Sequence, residues 1–189
     1  MIGPNGVGKS YFIGKYIQVY HKMYPKQKIY LISEKTEDES LDFPYVKRVK
    51  VDESLIENPL TLDEFKEVGP CLVIADDIDS LTGKVKKSVY ETINKCLKVG
   101  RSYGINMIIT LHNYNGLETR HILNECQAIT FFAQNWNANL EHLTSKYMGL
   151  SKQEVKIIRQ NKSRATTYVK SYPNIIVQER NIFVLGKNI

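Results

Sequence analysis

Gly3, Pro4, Asn5, Gly6, Val7, Gly8, Lys9 and Ser10 follow the spacing G-x-x-x-x-G-K-[ST] in full. Each residue type in that pattern answers a need of a bound polyphosphate. Glycines let backbone N–H groups approach phosphate oxygens, a lysine places a point cation on the β and γ phosphates, and a serine hydroxyl is a ligand for magnesium. Beyond Tyr11, which adjoins the loop, Phe12, Ile13, Tyr16, Ile17 and Tyr20 are the apolar positions of a helix. Its positive N-terminal dipole would point at the same charge. Residues 3–11 are therefore the expected nucleotide-binding segment.

Magnesium held by the loop serine needs an acid arriving from a neighbouring strand tip. The run Cys71-Leu72-Val73-Ile74-Ala75 ends in Asp76-Asp77 and supplies one. Asp76 joins Ser10 in the expected magnesium shell, and ATP with magnesium is the expected ligand. Asp77 would bring a second carboxylate to the γ-phosphate, to orient or deprotonate the attacking water; the alternative is that Asp77 and Asp79 merely begin a turn. The next apolar run, Ile105 to Leu111, ends in His112-Asn113. Polar groups at the carboxyl end of a central strand face the crevice where open α/β sheets bind ligands. Either residue is thus a candidate γ-phosphate sensor, set against the plainer reading of a surface histidine.

The elements that must position these groups show the alternation of an α/β protein. Expected strands are Lys28 to Ser33, Tyr45 to Val51, Cys71 to Ala75, Ile105 to Leu111 and Ala128 to Phe132. The third and fourth are continuously apolar and belong at the centre of the sheet. Val85, Val89, Ile93 and Leu97 make one stripe of a helix over Val85 to Val99, with lysines elsewhere around it. Thr61 with Glu64, and Ser151 with Glu154, have capping-box spacing. Thr166 to Lys170 and Ile175 to Gln178 flank Pro173-Asn174 as a C-terminal β-hairpin. Only Met1 and Ile2 precede Gly3, where such a loop normally follows a longer apolar strand. The first strand is thus either very short or continued upstream in a longer natural chain, and the second reading is preferred.

A length of 189 residues fits one domain, residues 1–189, and fractions of 42% hydrophobic and 24% charged residues exclude disordered and fibrous classes. No apolar run approaches the roughly 18 residues of a membrane span, so no membrane insertion is expected, and no signal peptide opens the chain. An intracellular setting follows as an expectation. Cys71, Cys96 and Cys126 lack metal or redox spacing and read as buried free thiols. The net charge of +6 favours a polyanionic partner. Lys84, Lys86 and Lys87 form one candidate phosphate-contacting patch, and Lys152, Lys156, Arg159, Lys162 and Arg164 a second; both can equally be solvated faces.

The acid directly after the magnesium aspartate, with a polar sensor on the following strand, resembles the additional-strand type of P-loop NTPase. Val99-Gly100-Arg101-Ser102-Tyr103-Gly104-Ile105, leading into Ile108-Ile109-Thr110-Leu111-His112, is similar to the FtsK/HerA superfamily. Within it, the chain is similar to the genome-packaging ATPases of large double-stranded DNA viruses and their relatives, from the phosphate loop to about Phe132. The resemblance implies an α/β fold with a mostly parallel central sheet and helices on both faces. It also implies an ATP-hydrolysing motor assembled as a homo-oligomeric ring, a hexamer or pentamer, that moves double-stranded DNA independently of sequence. Arg101 matches the arginine that acts on ATP held by the neighbouring subunit, so Lys9, Asp77, Arg101 and His112 are the expected catalytic set. A capsid or portal-like protein is the further implied partner, and the host cytoplasm or the virion the implied location. Asp77 replaces the glutamate of many relatives, and His112-Asn113 replaces the glutamine of cellular members. A small-molecule kinase with a lid over Arg159 to Arg164 is the competing enzyme class, and a nucleotide-gated scaffold a third.

Overall fold

Alternation along the strands decides the layering of the computed structural model, which describes residues 1–186. Strands β1 (Lys28–Ser33), β2 (Val46–Lys50), β3 (Cys71–Asp76) and β4 (Ile105–Ile109) form a parallel sheet in the order β2-β1-β3-β4. Ile29, Leu31, Leu72 and Ile74 point to one face and are buried with Ile13, Ile17 and Tyr20 of helix α1 (Lys9–Met23). The intervening Tyr30, Ile32, Val73 and Ala75 point to the other face. There they meet α2 (Ser54–Glu57), α3 (Leu62–Val68) and α4 (Gly83–Val99), which contribute Leu55, Phe65, Val89, Ile93 and Cys96. β3 is buried at every position, as a strand covered on both faces must be.

Residues 1–3 pair as a strand between two sheets. Ile2 bridges in parallel to Leu111 on one side and to Phe131 on the other. The Ile2 amide donates to Thr130 O (2.9 Å), Gly3 N to Leu111 O (3.2 Å) and Leu111 N to Met1 O (2.9 Å). A minimal strand thus joins the parallel sheet to a second, four-stranded sheet. That sheet has the order β5 (Ala128–Phe131), β6 (Thr166–Val169), β7 (Ile175–Gln178) and β8 (Ile182–Val184), antiparallel from β5 to β8. β4 consequently lies between the segment carrying the phosphate loop and the strand carrying the acids, which is the additional-strand arrangement.

The C-terminal hairpin forms with Thr166 opposite Gln178, and β8 extends it by a strand that the sequence reading lacked. Helices α5 (Leu117–Glu125), α6 (Ala138–His142) and α7 (Lys152–Gln160), with a π-helical turn over Leu143–Tyr147, complete the second half. Leu140, Leu143, Val155 and Ile158 from this region share a core with Ile129, Phe131, Tyr168 and Ile176. Ser151 forms the full capping box with Glu154, and the Thr61 side chain accepts from the Glu64 amide. Most strand ends differ from expectation by one residue at most, and two boundaries differ by two. α4 starts at Gly83 instead of Val85, and regular β4 stops at Ile109 because the backbone there changes partner: Thr110 N still donates to Ala75 O (2.9 Å), but Leu111 pairs with Ile2.

Candidate nucleotide-binding site

Gly6 and Gly8 carry the loop through φ values of 77° and 102°, which side-chain-bearing residues rarely adopt. Gly8 then caps α1 in the left-handed conformation. The loop closes on its own lysine: Lys9 Nζ, buried, donates to Gly3 O (2.8 Å) and Pro4 O (3.2 Å). Ser10 follows on the first turn of α1, and Tyr11 is exposed with Lys15 Nζ 5.6 Å from its ring centre.

The strand tips bring the acids to the same place. Asp76 ends β3 and is buried, whereas Asp77 takes a left-handed backbone conformation (φ 51°) that turns the chain off the strand. Thr110, just past β4, organises both. Its hydroxyl oxygen accepts from the Asp77 amide (2.6 Å), and its proton faces Asp76 Oδ1 (2.8 Å) and Asp77 Oδ1 (3.0 Å). His112 bridges the loop to the acid: Nε2 lies 2.9 Å from Asp77 Oδ1, and Nδ1 lies 3.1 Å from Lys9 Nζ. An ammonium can only donate, so Nδ1 is the acceptor and the imidazole proton sits on Nε2, where it faces the carboxylate.

These contacts set the charges. Burial pushes Asp76 up from the ordinary carboxylate range, and the neighbouring charge of Asp77 adds to it. Burial acts on Asp77 in the same direction. There, however, the hydrogen bond from His112 and the charge of Lys9 prevail, so Asp77 falls below its ordinary value and is ionised at neutral pH. Burial lowers Lys9, opposed by Asp77 and Asp76.

The donor set suits a magnesium ion carried on phosphates. Asp76 Oδ2 is buried without a hydrogen-bond partner. Among the described residues no three His, Cys, Asp or Glu side chains converge as a cage. A magnesium ion of this kind takes one or two protein oxygens and completes its octahedron with phosphate and water.

Three residues of this cluster escaped the sequence reading or were undervalued by it. Thr110 is a polar residue inside an apolar run. Lys35 stands two residues past β1 and brings Nζ within 3.8 Å of Asp76 Oδ2 and 3.7 Å of Asp77 Oδ2. Asp79 does more than begin a turn, since its Oδ2 accepts from the amides of His112 (3.0 Å) and Asn113 (2.6 Å). The signal available for all three was the parallel sheet itself, which gathers the carboxyl ends of its strands at one edge. Replacing Asp79 with Ala is expected to release the backbone at residues 112 and 113. Amide hydrogen exchange there should accelerate by about tenfold or more, while amides in the interior of β3 keep their protection. Unchanged exchange at both amides would show that Asp79 does not hold the histidine loop.

Arg101 is not brought to this cluster. It lies exposed in a turn of 3-10 helix, Gly100–Tyr103, which precedes β4, whereas the acids and the loop lie beyond the carboxyl ends of the strands. The length of β4 separates it from its own chain's pocket. Of the basic patches, Lys84 and Lys87 are exposed, but Lys86 pairs with Glu118 (2.7 Å) and lies over the ring of Tyr90. Lys152, Lys156, Arg159, Lys162 and Arg164 are exposed, with Arg159 stacked 5.3 Å from the ring centre of Trp136. Cys71 and Cys96 are buried free thiols, whereas Cys126 is free but only partly buried.

No protein-family model matches the chain. It is 32% identical over 181 residues to "Uncharacterized protein V3" of the Sputnik virophage, an alignment that covers 94% of this chain and 72% of that protein. In fold it is similar to the genome packaging NTPase B204 of Sulfolobus turreted icosahedral virus 2 in complex with ATP-gammaS. The TM-score is 0.58 at 16% identity, covering 96% of this chain and 92% of that one. It is also similar to ATPases 2 and 3 of EssC from Geobacillus thermodenitrificans, with a TM-score of 0.60 at 15% identity, covering all of this chain (100%) but 40% of that one. The chain therefore belongs to the family of virophage protein V3, and it shares the fold of the genome packaging NTPase B204 and of the EssC ATPases.

Proposed function

We propose that this protein is a magnesium-dependent ATPase that moves double-stranded DNA of any sequence through a homo-oligomeric ring, packaging a viral genome into its capsid. The observation that carries the reading is the continuous chain Lys9–His112–Asp77–Thr110–Asp76, which ties the phosphate loop to both acids through the end of the intervening strand. Lys9 supplies the cation for the β and γ phosphates, and the glycine-rich backbone with Ser10 and Tyr11 forms the rest of the cradle. Bound magnesium would be held by Ser10 and Asp76 and would neutralise charge developing on the phosphates. Asp77, ionised because His112 and Lys9 favour its charged form, orients the attacking water and takes its proton. His112 senses the γ-phosphate through Lys9: a phosphate that draws the ammonium away from Nδ1 removes one of the contacts that orient the ring.

A viral relative and a fold shared with a packaging NTPase support this reading, as does the position of Arg101, which is exposed at the end of β4 opposite its own pocket and is available to a neighbour's. The kinase alternative needs a mobile arginine-bearing lid over Arg159 to Arg164. That segment is instead tied to the second sheet. Asn161 Nδ2 donates to Gln178 Oε1 (3.1 Å), Gln178 Nε2 to Ile158 O (3.2 Å) and Glu179 N to Ser163 Oγ (3.2 Å). Among the described residues no helix is long and apolar enough to cross a membrane.

ATP hydrolysis measured on the assembled protein, with and without double-stranded DNA, tests the proposal. Turnover is expected to rise with DNA of any sequence. Affinity should fall with salt at a log–log slope of about −0.9 per neutralised phosphate. Turnover that ignores DNA in a confirmed oligomer and rises with a nucleoside monophosphate would replace the motor with a kinase.

A further inference from the structure

We propose that the ammonium of Lys35 stands in for the divalent cation between Asp76 and Asp77 when no nucleotide is bound, so that the metal enters this site only together with the triphosphate. The proposal rests on reading Asp76 as the metal acid of a nucleotide site. The two carboxylates are divided in function by their oxygens. Both Oδ1 atoms are engaged inward, Asp76 Oδ1 by Thr110 and Asp77 Oδ1 by Thr110 and His112. Both Oδ2 atoms face Lys35 Nζ, at 3.8 Å and 3.7 Å. These distances exceed a hydrogen bond, and Asp76 Oδ2, on a side chain only 1% exposed, has no hydrogen-bond partner. A buried anionic oxygen left in that condition is costly unless a cation is near. Here the near cation is an ammonium held by charge alone and therefore displaceable.

The backbone and side chain of Lys35 are built differently. The backbone is anchored at the tip of β1, next to β3, where Ser33 stands opposite Asp76. Lys35 N donates to Ser33 Oγ (3.3 Å), and Lys35 O accepts from Arg48 Nη1 (2.7 Å). The side chain is half exposed and has a third carboxylate within reach, Asp38 Oδ2 at 3.6 Å. Asp38 is itself fixed, since its Oδ1 accepts from Ser40 N (3.0 Å) and its amide donates to Asp42 Oδ2 (2.6 Å). An ammonium driven from the Asp76–Asp77 edge can thus shift toward Asp38 without any backbone movement. A free divalent cation approaching the nucleotide-free site meets a positive charge beside both Oδ2 atoms. A cation carried on a triphosphate arrives with its charge largely neutralised and with ligands of its own.

Manganese(II) binding to the nucleotide-free protein, read by electron paramagnetic resonance, tests this without ATP or DNA. Lys35→Ala should bind manganese about tenfold or more tightly than wild type, because one positive charge within 4 Å of both acids has gone. Lys35→Gln should do the same and serves should the alanine variant fold poorly. Lys35→Arg should stay near wild type. Adding Asp76→Asn to Lys35→Ala should abolish the gain, placing the new affinity at this site. Manganese affinity of Lys35→Ala and Lys35→Gln within about twofold of wild type, or a gain that survives Asp76→Asn, would overturn the proposal. Failure of DNA to stimulate turnover would overturn the motor reading and leave this result untouched.

Discussion

Lys9→Ala is expected to lose nucleotide binding. In this fold the ammonium does two jobs. It ties the loop together through the carbonyls of Gly3 and Pro4, and it is the cation that the bound phosphates would meet. Hydrogen bonds to charged groups contribute about 1.5–3 kcal/mol each, so losing two or three of them to the phosphates predicts an affinity drop of at least about 10²-fold. Titration calorimetry with a slowly hydrolysed ATP analogue reads this directly. His112 cannot substitute, because its Nε2 is committed to Asp77. Lys9→Arg should not restore full affinity, since a guanidinium is wider than the ammonium that sits buried against Gly3 O and Pro4 O. Equal affinity in wild type and Lys9→Ala would remove the pocket assignment and with it the function proposed above.

The phosphate loop was legible because its chemistry is written in consecutive residues, and the acid pair because β3 is a run of buried apolar residues ending in two charges. The cluster between them was not. Thr110, Asp79 and Lys35 act across strand tips, at separations of 33 residues from Asp77 to Thr110 and from Asp79 to His112. Periodicity reports which face a residue occupies and is silent about which tips meet. The same limit explains the first strand. Two apolar residues before Gly3 are too few to read as a strand. Yet Ile2 is paired as a strand, with Leu111 on one side and Phe131 on the other. β4 was read too long for a related reason, since an apolar pattern continues through a change of partner. Counting lysines along α4 could not show that Lys86 pairs with Glu118.

Arg101→Ala is expected to reduce turnover by about 10³- to 10⁵-fold while leaving nucleotide affinity in each subunit nearly unchanged, the effect of removing an arginine supplied in trans. The position of Arg101 makes the two halves of that expectation separable. It precedes β4, while the phosphate loop, Asp76, Asp77 and His112 lie past the other end of the strands, so it cannot reach its own chain's nucleotide. A plain role as a cation near the C-terminus of α4 would instead show as a stability loss of roughly 0.3–1 kcal/mol with little change in turnover. Subunit mixing decides between them. An Arg101→Ala subunit keeps an intact pocket and lacks the arginine, whereas a Lys9→Ala subunit lacks the pocket and keeps the arginine. Rings assembled from both contain interfaces where the intact pocket meets the intact arginine, and hydrolysis should recover there although neither variant alone turns over. Recovery should scale with the fraction of such interfaces as the mixing ratio is varied. Mixed rings verified by mass spectrometry that stay inactive at every ratio would mean that Arg101 does not act across the subunit boundary.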